Sequence, residues 1–423
     1  MRIKGALAVS AIFLTACASL SNARVETQDL TAGACKVGIY GDADPFVVIV
    51  RSEAGFDYSI SDGRRGSVGD GRVECGVDVV KLDQAPILKQ RAMRITNTEF
   101  DSAGTPLRGQ LIEPLGANSE SSLVVLAHGS EESGWIESVA YPYQFVGRGV
   151  SVFVYDKRGT GQSAGAYSQN FPQLADDLVA ASTEAKKLAG ERFGRFGLFG
   201  FSQGGWIVPL AAKRAEAEFL GVGYGLVIDI LEEDAAQVEL ELREAGYEDD
   251  VIAKAKTLTD VTARLAVSGY KDGLEELDEL RERYKDEDWF PIIRGGFSGV
   301  LLGMSTTELR ENGIPVFDRL NIDWSLKPMD VLREVDVPLL WILAEDDREA
   351  PISKTLTRLK TLREGGQEIY IYLYPDTDHG MWEYDQAADR TRTYTRVTAT
   401  YYDLLADWAK GDLSPPYARS VEH

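Results

Sequence analysis

After Pro114, apolar runs of four to nine residues alternate with stretches of helical period. Strands are predicted at Leu123 to Ala127, Val150 to Tyr155, Phe196 to Phe199 and Leu220 to Ile228, with helices over Pro172 to Ala189 and onward from Gln203. Uninterrupted apolar runs suit strands buried on both faces, so the pattern reads as a mostly parallel sheet covered by helices on either side. Ahead of it, Arg94 to Glu99 and Pro106 to Glu113 flank the turn signal Asp101-Ser102-Ala103-Gly104 and predict a hairpin leading into that sheet. From Gly33 to Leu88, short β-branched runs such as Phe46 to Val50 are broken by Gly/Asp turns, the pattern of a small β-rich module.

The rhythm breaks between residues 229 and 335. Residues 229 to 287 carry 19 acidic and 8 basic side chains in long helical stretches, half of the chain's net charge of −22. The region is predicted to be a helical cap inserted after a strand, with Trp289-Phe290-Pro291 and Gly295-Gly296-Phe297 as its apolar underside. Strands resume at Pro338 to Leu343 and Glu368 to Tyr374, and a last helix is predicted over Ala388 to Ala409. The expected organisation is thus a signal peptide (1–16), a tether (17–32), a small β-rich module (33–92), a catalytic α/β domain (93–228 and 336–412), a helical cap (229–335) and a C-terminal tail (413–423).

The first residues set the compartment. Arg2 and Lys4 precede an apolar run from Ala6 to Leu14, too short to span a bilayer as a mature helix. The run ends in Leu14-Thr15-Ala16-Cys17, which resembles a bacterial lipobox and makes Cys17 the expected lipidated residue; cleavage after Ala23 is the alternative. Either route exports the protein to the cell envelope, lipid-anchored or periplasmic. An oxidising compartment permits a disulfide between Cys35 and Cys75.

Composition narrows the partners. With 67 acidic against 45 basic residues, no broad nucleic-acid or anionic-membrane surface is expected, and membrane contact is expected only through the lipid anchor. Three histidines and the absence of CxxC or HExxH leave no basis for a metal centre, and no cofactor is implied.

Gly200-Phe201-Ser202-Gln203-Gly204 lies between a predicted strand and a predicted helix. Glycines at those positions permit a tight turn that lifts a serine hydroxyl clear of the backbone at a helix N-terminus, which makes Ser202 the candidate nucleophile. A serine needs a base. His379 follows a strand, where loops at the carboxyl ends of parallel strands converge; His128 closes an earlier strand and is expected to buttress a loop; His423 is the last residue and is expected to be frayed. The third member is a carboxylate that orients the imidazole, and Glu345, Asp346 and Asp347 all follow a strand directly.

Three motifs together resemble those of the α/β-hydrolase superfamily over about residues 95 to 412: His128-Gly129-Ser130 is similar to its oxyanion loop, Asp156-Lys157-Arg158-Gly159-Thr160-Gly161-Gln162-Ser163 to its D-x-R-G-x-G-x-S turn, and Gly200 to Gly204 to its nucleophile elbow. The resemblance implies an α/β-hydrolase fold and the chain order Ser202, acid, His379. It selects Asp347 through a G-x-x-D-x-x-x-P pattern in which Ala344 replaces the glycine, with Asp346 second. It also implies the backbone N–H groups of Ser130 and Gln203 as oxyanion donors, a structural role for residues 156 to 163, and core or pocket-wall places for Trp206 and Tyr141. The implied activity is hydrolysis of a small-molecule ester through an acyl-serine. The alternatives are a serine aminopeptidase or dipeptidyl-peptidase-like hydrolase, with Glu232-Glu233 placed to meet a substrate amine, and an inactive envelope binding protein.

Overall fold

The computed structural model describes residues 35–83 and 86–423; the signal segment, the tether and Cys17 lie outside the described residues. At its centre is a nine-stranded sheet. In chain order its strands are β1 (Met93–Ser102), β2 (Thr105–Pro114), β3 (Ser122–Ala127), β4 (Ser151–Tyr155), β5 (Arg195–Phe201), β6 (Phe219–Gly223), β7 (Leu339–Ala344), β8 (Ile369–Tyr374) and β9 (Val421–Glu422). Their spatial order is β1-β2-β4-β3-β5-β6-β7-β8-β9, with β3 to β8 mutually parallel and β1, β2 and β9 antiparallel to their neighbours. This is the α/β-hydrolase fold. Because β3 to β8 run parallel, the chain ends after β3, β5, β7 and β8 lie along one edge of the sheet, where a site can assemble.

Both faces are covered. Helices α1 (Tyr141–Gly147) and Tyr401–Lys410 pack on one, burying Phe145, Tyr401 and Trp408 against Phe199, Phe219 and Leu340. Helices α2 (Phe171–Ala189), α3 (Gly204–Ala211) and Ser353–Glu364 cover the other, over Leu123, Leu198, Trp341 and Ile371. Asn170 starts α2 by accepting the Gln173 N–H at 3.0 Å, which satisfies one of the otherwise orphaned amides of its first turn.

Between β6 and β7 lie α4 (Ile230–Glu244), α5 (Asp249–Val267), α6 (Leu274–Tyr284) and several short helices down to Pro328–Arg333. Asp229 and Glu232 form a capping box at the head of α4. The region has an apolar core of its own, including Leu242, Leu258, Leu277 and Leu301, and Trp289 and Phe297 belong to that core at 2% and 1% exposure. These two members of the expected apolar underside are thus packed into the region's own core.

Two further expectations are corrected. Residues 388–409 do not form one helix, because Arg392–Val397 is a strand paired antiparallel with Trp382–Gln386, and the helix begins only at Tyr401. Alternating Thr, Tyr and Val in that run favour extended backbone. His423 is not frayed: its N–H donates to the Ile371 carbonyl at 2.9 Å, and the tail adds β9 to the sheet edge.

The N-terminal module consists of two small antiparallel sheets, with strands at 38–67 and at 73–89. Cys35 and Cys75 are disulfide-bonded across a sequence separation of 40, joining the start of the first to the second. Closing a loop of that length stabilises by about 4 kcal/mol on the chain-entropy model. Reduction, or the Cys35→Ser/Cys75→Ser double variant, is accordingly expected to lower the calorimetric midpoint; an unchanged midpoint would show that module packing alone suffices. The module also grips the rest of the chain. The Val397 N–H donates to the Gly63 carbonyl at 3.0 Å, Arg396 donates to the Asp62 carbonyl, and Arg65 lies over the Trp382 ring at 4.4 Å. Gly63 has φ +98°, and a Cβ there would meet the Val397 carbonyl oxygen at 2.0 Å, so no other residue fits this approach.

Candidate active site

Strand β5 ends at Phe201 and α3 begins at Gly204, leaving only Ser202 and Gln203 for the turn. Ser202 has φ +52°, a conformation that costs a side-chain-bearing residue about 1–2 kcal/mol. The turn is closed by Ser202 N–H to Gly223 carbonyl (3.0 Å) and Gly205 N–H to Ser202 carbonyl (2.8 Å). A Cβ on Gly200 would meet the Gly204 carbonyl oxygen at 2.2 Å and one on Gly204 the Ala127 carbonyl oxygen at 2.9 Å, which is why the flanking positions are glycine.

His379 stands in the loop after β8, and its Nε2 lies 3.0 Å from Ser202 Oγ. Its Nδ1 is 2.9 Å from Oδ2 and 3.2 Å from Oδ1 of Asp347, in the loop after β7. Asp347 is 2% exposed, and its Oδ1 also accepts the N–H groups of Glu349 (3.0 Å) and Ala350 (2.6 Å). Asp346 points elsewhere, accepting the Tyr384 hydroxyl at 2.8 Å. Glu345 follows β7 as a backbone donor to the Tyr374 carbonyl. Of the three carboxylates in that run, Asp347 is the one brought to the imidazole.

A fourth carboxylate, not singled out from sequence, joins the two loops. Asp378 accepts the N–H of Arg348 (3.0 Å) and of His379 (2.8 Å) on Oδ1, and Arg392 (2.6 Å) and the Tyr394 hydroxyl (2.8 Å) on Oδ2. Burial would raise its pKa, but these donors hold it below the usual carboxylate range. The strand Arg392–Val397 thus supplies two of the groups that fix the histidine loop. The signal was the Asp378-His379 adjacency, but its donors sit on a strand misread as helix.

Burial alone would lower the pKa of His379; the charges of Asp347, Glu349 and Asp378 outweigh it and raise the ring above its ordinary value. Glu349 Oε1 lies 3.8 Å from Nε2, Glu233 interacts with the ring electrostatically, and the Tyr224 ring packs edge-on at 4.9 Å. A base must be neutral to accept a proton, so the acid limb of kcat/KM is expected above the usual histidine range. Glu349→Gln removes one carboxylate that favours the charged ring and is expected to move that limb to lower pH; a limb that stays put or moves up in the pH–rate profile would contradict this.

His128 is apart from this chemistry. It is 2% exposed and its Nε2–H donates to the Tyr155 carbonyl at 2.5 Å, with burial and then Lys157 pushing its pKa down to about 3. Residues 156 to 163 also work structurally: Asp156 accepts the N–H groups of Trp135, Ile136 and Gln162, and Arg158 forms a buried ion pair with Asp177.

A cavity of about 30 Å³ adjoins Ser202, lined by Ser130, Gln203, Trp206, Leu226, Ile230 and Glu233 among others. Trp206 is a pocket wall, its Nε1–H held by the Ile228 carbonyl at 3.0 Å, whereas Tyr141 packs beneath on Phe201. Among the described residues, no protein acceptor takes the N–H of Ser130 or of Gln203. Glu232 turns away to Arg358 (2.6 Å), whereas Glu233 faces the cavity. A wider cleft of about 640 Å³ opens beside His379 between α4 and residues 389–394.

Residues 118–223 match the family model described as serine aminopeptidase, S33. That segment runs from just before β3 to the end of β6 and contains Ser130, the 156–163 turn and Ser202, but neither Asp347 nor His379. No curated protein matches the chain. Among solved structures, an esterase of Pyrococcus furiosus is similar at 16% identity and TM-score 0.43, covering 68% of this chain and 84% of that one. An acylaminoacyl peptidase of Pyrococcus horikoshii is similar at 14% identity and TM-score 0.43 over 82% of this chain and 47% of that one. An α/β hydrolase from a Penicillium species aligns at 18% identity and TM-score 0.41, over 68% and 91%. Strand order and the matched segment together make this a chain of α/β-hydrolase fold.

Proposed function

We propose that the protein is a serine hydrolase that cleaves carboxylic esters with short acyl groups through an acyl-enzyme on Ser202. The observation that carries the reading is the unbroken relay from Asp347 through His379 to Ser202, at 2.9 and 3.0 Å. Ser202 Oγ attacks the carbonyl carbon as His379 Nε2 takes its proton, and Asp347 orients the ring and stabilises its cation. The N–H groups of Ser130 and Gln203 receive the oxyanion, each such donor contributing about 3–4 kcal/mol in the transition state. His379 then protonates the leaving alcohol, and water repeats the sequence on the acyl-serine. The small size of the cavity beside Ser202, about 30 Å³, favours short acyl chains. Turnover of p-nitrophenyl acetate and butyrate, with labelling of Ser202 by a fluorophosphonate, tests this; an unlabelled, inactive protein would favour a binding role instead.

One observation favours a second reading, an aminopeptidase-like specificity. Burial and the nearby Glu349 carboxylate push Glu233 up to about 8, and a substrate ammonium entering the pocket would favour the ionised form of this pocket-wall acid. Glu233→Gln is expected to cut kcat/KM on aminoacyl p-nitroanilides about tenfold or more while changing p-nitrophenyl acetate less than threefold. Equal effects on both substrates would remove the amine-binding role. We further read the N-terminus as a lipoprotein signal acylated at Cys17; the Cys35–Cys75 disulfide is consistent with export.

A further inference from the structure

Lys157 is a charged side chain buried beside the site and unused by the mechanism above. It is 1% exposed, and its Nζ donates to the Gly129 carbonyl at 2.8 Å. Burying an ammonium in this way is costly unless something is gained from its placement. Burial brings its pKa down to about 8, against the opposing influence of Glu131 and Glu132.

The Gly129 carbonyl and the Ser130 N–H belong to one planar trans peptide and point in opposite directions. A donor anchored on the carbonyl therefore sets where the N–H points. We propose that Lys157 is a positioning residue for the oxyanion site, locking the 129–130 peptide so that the Ser130 N–H faces the carbonyl being attacked. The inference rests on the Ser130 N–H serving as an oxyanion donor.

Three observations support it. Gly129 lies against the nucleophile, since a Cβ on it would stand 3.6 Å from Ser202 Cβ. Being glycine, it offers no side-chain resistance to rotation of the following peptide, and a flipped peptide would present a carbonyl oxygen where negative charge develops. The next carbonyl is also restrained: Tyr167 donates its hydroxyl to Ser130 O, and the Tyr167 ring sits 4.8 Å from Lys157 Nζ. A cationic donor on one end of an amide also strengthens the N–H at the other, as in any chain of polarised hydrogen bonds.

The test compares wild type with Lys157→Met and Lys157→Gln, the second keeping a neutral donor, and with Ser202→Ala as control. The substrate is p-nitrophenyl acetate, and the inhibitors are a trifluoromethyl ketone that adds to the serine as an oxyanion and the corresponding secondary alcohol, which cannot. Lys157→Met is expected to lower kcat about 10²-fold with KM within threefold, and to raise the ketone Ki by a similar factor while the alcohol Ki stays unchanged. Lys157→Gln should recover part of the loss. The proposal is overturned if both variants turn over within threefold of wild type, or if ketone and alcohol affinities fall together. Should Lys157→Met not fold, Lys157→Gln decides by the same ketone-to-alcohol ratio. If Ser202→Ala stays active, it is the acyl-serine reading that fails, a result independent of both lysine variants.

Discussion

Ser202→Ala is expected to lower kcat on p-nitrophenyl acetate on the order of 10⁶-fold, since the nucleophile and base act as a unit and loss of either forfeits the covalent route. The melting curve should barely move. Among the described residues Ser202 Oγ has one hydrogen-bond partner, His379, and alanine keeps both the shape of the turn and its strain at φ +52°. Ser202→Gly should be equally inactive but more stable by about 1 kcal/mol, a rise of roughly 2 °C, because glycine adopts that conformation freely. Loss of activity with unchanged or improved stability would mark the elbow as a place where strain is tolerated for chemistry. An alanine variant that kept most of its turnover would end the acyl-serine reading.

The second large effect belongs to Asp347→Asn, expected to reduce kcat by about 10⁴-fold through the wrong histidine tautomer. The direction follows from the contacts. Oδ1 of residue 347 accepts two backbone N–H groups, from Glu349 and Ala350, so asparagine will keep its carbonyl oxygen there. Its NH₂ then faces His379 Nδ1 and donates to it, which leaves the ring proton on Nε2, where it cannot accept one from Ser202. Asp346→Asn, by contrast, should stay within threefold of wild type, since that carboxylate accepts from the Tyr384 hydroxyl and makes no contact with the ring. If the two variants exchanged phenotypes in steady-state kinetics, the acid would be one residue earlier than the structure places it.

What could be read from sequence was what is written locally. Strands β3 to β8 are apolar because both their faces are buried, so each shows as a run without reference to its neighbours. Gly200 is visible because its closest steric conflict, with the Gly204 carbonyl, lies within five residues; the one at Gly204 is set at a distance, by the Ala127 and His128 carbonyls. Less legible was everything decided at a distance. Arg392–Val397 is a small-sheet strand with polar faces, and its role at Asp378 depends on a partner strand and a loop folding beside it. The edge strand β9 is two residues long and exposed, which leaves no hydrophobic signature. Whether Glu232 or Glu233 meets the pocket depends on the rotation of α4 about its axis, and Arg358, 126 residues on, claims the first. The Cys35–Cys75 pairing was accessible because only two cysteines remain once Cys17 is read as the lipidated residue.

The grip of Gly63 on Val397 has a consequence for how the chain is divided. The turn that carries it sits at the far end of the polypeptide from His379, with Asp62 and Arg396 separated by 334 positions, yet the hairpin it holds is the one whose Arg392 and Tyr394 hold Asp378 in the histidine loop. The small module is thereby a strut rather than a passenger. Trimming the gene to its hydrolase portion would remove the contacts that brace this hairpin.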